Sequence, residues 1–183
     1  MGQSVHVSVL SDEVILMLQA DRGGVFLDCT FGGGGHSSAI LRANQSNQLY
    51  AIDRDPRAIE RSHDIQAQFN GRLILRQAPF SRIHEAYPSM MFDGVLADLG
   101  LSTDQLHEKR GFSFADATDL DMRMDPEDGE SAASLINRLD HRELSQLLRV
   151  GGIGAEARLI ASEIIRSRPF HTAQELAECI KGI

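Results

Sequence analysis

Three aspartates and a run of four glycines are the residues of this chain whose types and spacing could do chemistry. Asp28 closes the apolar run Val25-Phe26-Leu27, Asp53 closes Leu49-Tyr50-Ala51-Ile52, and Asp98 closes Val95-Leu96-Ala97. Gly32, Gly33, Gly34 and Gly35 follow the first of these closely, and His36 opens a helix-like stretch after them. Glycines placed after a strand let the backbone approach a ligand, because no Cβ intervenes. Asp53 lies 20 positions beyond Gly33, a separation at which an acid reaches a ribose hydroxyl pair. A dinucleotide fingerprint needs a third glycine, but Gly32 leads to Ser37 and Gly33 to Ser38. The pattern therefore tilts from a pyrophosphate dinucleotide toward another adenosine cofactor, of which S-adenosylmethionine is the commonest. A tight strand-to-helix turn with no ligand is the plain alternative.

These residues need elements to hold them. "VHVSVLSDEVILML" begins with alternation and then spaces Val14, Ile15 and Leu18 as a short amphipathic helix would. "GVFLDCT", "QLYAIDRD", "RLILRQA" and "FDGVLAD" read as strands, and "HSSAILRA" as a helix. In "DPRAIERSHDIQAQF", Asp55 can cap and Pro56 fits the first turn, which predicts one helix. Strands alternating with helices imply an α/β fold with a parallel sheet. In such sheets ligands bind beyond the carboxyl ends of the strands, where the three acids stand. Past Leu101 the strand pattern ends, and residues 102–130 hold charges and turn formers. Helices with readable caps follow: Asp140 with Glu143, and Thr172 with Glu175, have capping-box spacing. "GAEARLIASEIIRSR" places Leu159, Ile160, Ile164 and Ile165 near one face, and Pro169 halts it. The boundary falls near Gly111, giving an α/β half over residues 1–110 and a helical half over 111–183.

Composition bounds the function. With 183 residues and 42% hydrophobic content, the chain can bury one sizeable core and an appendage. No apolar run approaches a membrane span of ~20 residues, and the N-terminus lacks a signal pattern. Cys29 and Cys179 stand far apart without metal-like spacing, and read as reduced thiols of a cytoplasmic protein. The net charge of -8 weighs against a polyanion partner unless a local basic patch serves it.

The segments "HVSVLSDEV", "DCTFGGGGHS", "AIDRDPRAI", "DLGLSTDQL", "RGFSF", "LDMRMDP" and "TAQELAE" occur in the order seen in one family. On them the chain resembles the N-terminal part of the bacterial RsmH (MraW) family. Those proteins are S-adenosylmethionine-dependent methyltransferases acting on N4 of a cytidine in 16S ribosomal RNA of the small subunit. The resemblance implies a class I, Rossmann-like methyltransferase sheet carrying a helical insert for substrate recognition. It also implies that Gly34, Gly35 and His36 contact the cofactor, that Asp53 takes its ribose, and that Phe80 lies beside the adenine. Asp98 and Gln105 would close the methionine end. Without the family, His36 reads as a capping surface histidine and Phe80 as plain core.

The implied reaction is demanding, because a cytosine amino nitrogen delocalises its lone pair into the ring. Acceptors for its hydrogens would help it pyramidalise, and Asp98 with the carbonyls of "DLGLS" could serve. Asp98 as a catalytic group is the weaker assignment beside Asp98 as a cofactor ligand. Neither role calls for a metal. Lys109, Arg110, Phe112, Phe114 and Arg123 interleave cations with aromatics, as phosphate contact and base stacking require; an ordered loop plugged by the two phenylalanines is the structural reading. The helical segment from Ser131 to Ile183 reads as scaffold. Where the family has Ser-Ser-Pro-Gln, this chain has Ser102, Thr103, Asp104 and Gln105, losing a rigidifying proline. It also ends at Ile183, before the family's later basic and aromatic segment and final strands. That implies an incomplete sheet that hides its edge in a homodimer. A non-catalytic binding module and a nicotinamide-dependent oxidoreductase are the alternative functions.

Overall fold

The computed structural model describes residues 8–102, 105–106, 108–114 and 117–183. Thr103 and Asp104, the start of the alternating N-terminal stretch, and His107 therefore lie outside the described residues. Two compact units divide the chain, residues 1–102 and 103–183.

The first unit is an α/β sheet. Its elements are α1 (Ser11–Leu18), β1 (Val25–Asp28), α2 (Gly35–Ala43), β2 (Gln48–Asp53), α3 (Pro56–Arg61), α4 (His63–Gln68), β3 (Leu73–Gln77), a 3-10 turn (Phe80–Arg82), α5 (Ile83–Ala86) and β4 (Gly94–Leu96). The strands are all parallel, in the order β3-β2-β1-β4. Alternation along each strand supplies two apolar faces. Phe26, Leu49, Ala51 and Leu73 join Ile40, Leu41 and Phe69 on one face. Leu27 and Ile52 join Ala86 and Tyr87 on the other. Val95 pairs in register with Leu27 yet is 56% exposed, so the second face lies open toward β4.

The stretch after Asp55 departs from the single helix its pattern predicts. Asp55 caps as expected, accepting from the Arg57 N–H, but the helix breaks at Ser62. The Ser62 hydroxyl donates to the Ile59 carbonyl at 2.6 Å, and its N–H also bonds Ile59 in the tighter i−3 pattern. That back-bonding competes with the regular helical ladder.

The second unit is helical, with α6 (Ala132–Arg138), α7 (His141–Val150), α8 (Ala157–Ser167) and α9 (Ala173–Ile180). Leu120, Leu144, Ala161, Ile164 and Phe170 form its core. Both capping boxes form, at Asp140 with Glu143 and at Thr172 with Glu175. Leu159 does not share the buried face of α8 and is 58% exposed. The face is set by Ala157, Ala161 and Ile164, whose i, i+4, i+7 spacing leaves position 159 outside it. Arg110, placed by the sequence in the α/β half, and Gly111, the first residue of its helical half, both pack within this unit. The Arg110 carbonyl accepts from Met122 N–H at 2.8 Å. Gly111 has φ +80°, and a Cβ there would stand 2.8 Å from the Asp119 carbonyl oxygen.

Candidate cofactor site

The chain runs outward from β1 through β2 to β3 and then returns to place β4 on the other side of β1. The carboxyl ends of β1 and β4 thus flank a topological switch point, where open α/β sheets hold their ligands. The glycine loop leaves β1 there, and Asp98 follows β4 by two residues. The Asp98 N–H donates to the Thr30 hydroxyl at 2.8 Å, which ties the two crossings together. Thr30 and Ser37 are the positioning residues that the glycine pattern did not reveal; short hydroxyl side chains within a glycine-rich turn were the only signal.

The three acids have different surroundings. Asp28 is buried, accepting from the Thr30 N–H at 3.0 Å and the Ser37 hydroxyl at 2.6 Å. Burial pushes its carboxyl above the usual range, against those two hydrogen bonds. With an oxygen committed to each partner, Asp28 fastens the start of α2 to the end of β1. Asp53 is also buried and also raised by burial, while the N–H groups of Asp55 and Gly32 pull the other way. One Asp53 oxygen accepts from Gly32 at 2.7 Å and the other from Asp55 at 2.9 Å. A carboxylate has about four acceptor positions, so Asp53 can hold the loop and still accept further donors. Asp98 is exposed, its side chain 60% accessible.

Gly34 has φ +75°, and a Cβ there would come within 2.6 Å of Ile65 and 2.7 Å of the Phe31 ring. Only glycine satisfies both the left-handed turn and that packing. Gly34 stands at the N-cap of α2, and no side chain caps the helix. Its first N–H groups and the positive end of its dipole therefore lack an N-cap side chain. Exposed Gly35 opens the helix, and His36 follows with little exposure. His36 Nε2 lies 3.7 Å from an Asp98 carboxylate oxygen, longer than a hydrogen bond. Its Nδ1 is buried without a partner, an uncommon condition that a bound group would relieve. His36 is thus not the surface histidine of the alternative reading. Phe80, 55% exposed in the turn after β3, is not the core residue of its alternative. Gln105 is buried and belongs to the second unit.

The cations expected to meet RNA are partly consumed by the protein. Arg110 is buried, donates to the Met124 carbonyl at 2.8 Å, pairs with Glu108 and covers the Phe112 ring. Arg123 grips Asp121 through two bonds of 2.8 and 2.7 Å and holds that carboxyl below the usual range. Lys109 and Phe114 are exposed.

An open parallel sheet with a glycine turn and acids at the carboxyl ends of its strands is the Rossmann-like α/β arrangement found in class I methyltransferases. The chain belongs to the MraW methylase family, whose model matches residues 3–183. It is 40% identical over 178 residues to a ribosomal RNA small subunit methyltransferase H of Synechococcus elongatus, covering 97% of this chain and 60% of the relative. Proteins of the same name from a Nostoc species and from Thermomicrobium roseum are 43% and 40% identical. Those matches cover 96% and 98% of this chain and 58% of each relative. The chain thus spans about three-fifths of the length of the curated relatives it matches. Membership of a methylase family implies a methyl donor. No described helix is long and apolar enough to cross a membrane.

Proposed function

We propose that this chain carries the donor-binding part of an enzyme that methylates N4 of a cytidine in 16S ribosomal RNA, using S-adenosylmethionine, in the cytoplasm. Beyond the relatives' names, the observation that carries the reading is the buried, unpartnered Nδ1 of His36 at the uncapped start of α2. When bound, the sulfonium supplies an electrophilic methyl group, so the chain's own residues need only position and polarise. Asp53 offers its remaining lone pairs to ribose hydroxyls, and Gly34, Gly35 and His36 give the ligand backbone access and one side-chain partner. Phe80 presents a ring face to the adenine. Asp98 accepts a hydrogen bond, either from the methionine end or from the cytosine amino group. A cytosine amino group that loses a proton shared with Asp98 gains nucleophilicity as it pyramidalises. The target base must be single-stranded or drawn from its stack.

Calorimetric titration with S-adenosylhomocysteine and with NAD, followed by methyl transfer to undermethylated small ribosomal subunits, tests this. Binding of the first ligand alone, together with transfer, is expected. NAD binding in its place would overturn the cofactor assignment, and ligand binding without transfer would reduce the chain to a binding module. The reading extends to a homodimer formed along β4, supported by its place at the sheet edge and the exposure of Val95. A compact monomer in light scattering at every concentration would remove that part. Val95→Lys is the variant to use, because Leu96 packs against the core.

A further inference from the structure

In a chain of net charge -8, the second unit gathers cations where the sequence showed only scaffold. Arg142, Ser145, Gln146 and Arg149 line one face of α7 at i, i+3, i+4, i+7 spacing. Arg158, in the first turn of α8, and His141 complete the wall of a cleft of about 520 Å³ that opens to solvent. All three arginines are exposed. Among the described residues, none of their side chains makes an ion pair or hydrogen bond. Two acids of the same helices are otherwise occupied. Glu143 accepts from the Asp140 N–H in its capping box, and Glu163 holds Arg166.

The wall is fixed rather than assembled from loose surface. His141 Nε2 lies 3.2 Å from the Arg158 carbonyl and 3.0 Å from the Ser162 hydroxyl, joining the start of α7 to α8. Buried Ser145 donates to the His141 carbonyl at 2.6 Å. Arg142 and Arg149 are separated along α7 by roughly 10 Å, enough to meet more than one phosphate of a strand. Like charges held together without counter-charges raise one another's cost until an anion arrives. No Phe, Tyr or Trp lines the cleft, and the His141 ring is held by Arg158 and Ser162, so the cleft is suited to backbone phosphates rather than stacked bases. Arg110 and Arg123, the cations expected from sequence, are by contrast tied to Glu108 and Asp121.

We infer that the α7–α8 cleft, through Arg142, Arg149 and Arg158, binds the phosphate backbone of RNA without reading its sequence. The inference rests on the proposed function for the choice of polyanion.

The test measures binding of the whole chain to a fluorescein-labelled RNA hairpin with a cytidine-containing loop, by anisotropy, over about 50–200 mM salt. Arg142→Gln/Arg149→Gln/Arg158→Gln should weaken binding tenfold or more at low salt. It should also lower the slope of log affinity against log salt by about 2–3, since each phosphate left unneutralised takes away roughly 0.7–0.9. The triple lysine variant should keep most of the slope, because the charges stay. If the glutamine variant melts early, Arg149→Gln alone decides, with a fall in slope of roughly 1. An unchanged slope in these variants, or no RNA binding by the parent chain, overturns the inference. So does arginine-dependent binding to phosphatidylglycerol vesicles without binding to RNA. Calorimetry with S-adenosylhomocysteine separates the two proposals: arginine-dependent RNA binding in a chain that ignores the ligand upholds the cleft and removes the donor site.

Discussion

The two units spend their carboxylates in opposite ways. In the sheet unit, Asp28 and Asp53 are buried at strand ends and accept from backbone N–H groups and a hydroxyl. In the helical unit, Asp121, Glu130 and Glu163 are matched by arginines, and Glu175 by its own capping box. Burial raises the first pair of carboxyls and hydrogen-bonded partners lower the second group. Buried acids that accept from loop N–H groups shape a turn. Arginine-matched acids at a surface hold helices and loops in register and leave other arginines unmatched. A fastened glycine turn and a scaffold with unmatched arginines thus follow from two uses of the same residue type.

The largest effect should come from the residue that holds the loop and is proposed to hold the ligand. Asp53→Ala removes a charged acceptor and should weaken S-adenosylhomocysteine binding by on the order of 2–4 kcal/mol, read by calorimetry. Asp53→Asn keeps one acceptor oxygen and should fall between the two. Unchanged affinity in the alanine variant would confine Asp53 to holding Gly32.

Gly34→Ala tests the turn itself. The left-handed φ and the close approach to Ile65 and Phe31 should together cost about 2–3 kcal/mol of stability, seen as a lower melting temperature. Gly32 is a control with the same sign of φ, because a Cβ there meets only the Thr30 carbonyl oxygen at 3.9 Å. If the two alanine variants melt alike, packing at Gly34 is not what restricts it.

Asp98→Ala should act on the reaction more than on the fold, because its side chain is 60% exposed and its backbone N–H still reaches Thr30. In an active preparation, turnover should fall roughly tenfold or more while ligand affinity changes less. Equal losses would make Asp98 a cofactor ligand only.

Much of this was legible in the amino-acid order alone. Strand ends at Asp28 and Asp53, the turn at Gly34 and both capping boxes follow from local rules, in which a few neighbouring residues decide the outcome. Long-range partnerships were not legible. Nothing near Asp98 in the chain announces Thr30, and the Ser37 hydroxyl finds Asp28 only once α2 lies on the sheet. Arg110 and Arg123 looked like RNA contacts because their partners Glu108 and Asp121 are equally available to solvent in an unfolded segment. Arg142, Arg149 and Arg158 fell within a segment that read as scaffold, because α8 supplies the third cation from across a loop. The break at Ser62 was hidden because a serine hydroxyl can face water as readily as a carbonyl.

The smallest and most discriminating effect is the response of the two units to acid. A carboxyl held above its ordinary value by burial takes up a proton more readily folded than unfolded. Asp28 and Asp53 therefore favour folding as pH falls through their folded values toward the ordinary one, about 4. Asp121, Glu130, Glu163 and Glu175 are held below their ordinary values, so the stability they contribute is present above about 4 and lost as pH falls further. The chain carries a means of separating the two responses. It has no tryptophan and two tyrosines; Tyr50 and Tyr87 both lie in the sheet unit, their rings 5.0 Å apart. Tyrosine fluorescence thus reports melting of the sheet unit, and hydrogen exchange over Ala173–Ile180, corrected for intrinsic rates, reports the helical one. Between neutral pH and about 5, the fluorescence-detected melt should hold or rise while helical protection stays level, and protection should then decline below about 4. Asp28→Asn replaces the buried charge by a neutral acceptor and should flatten the rise without moving the helical curve. A fluorescence melt that falls steadily from neutral pH, in step with helical protection, would mean that buried and paired acids respond alike and that the contrast between the units does not govern their stability.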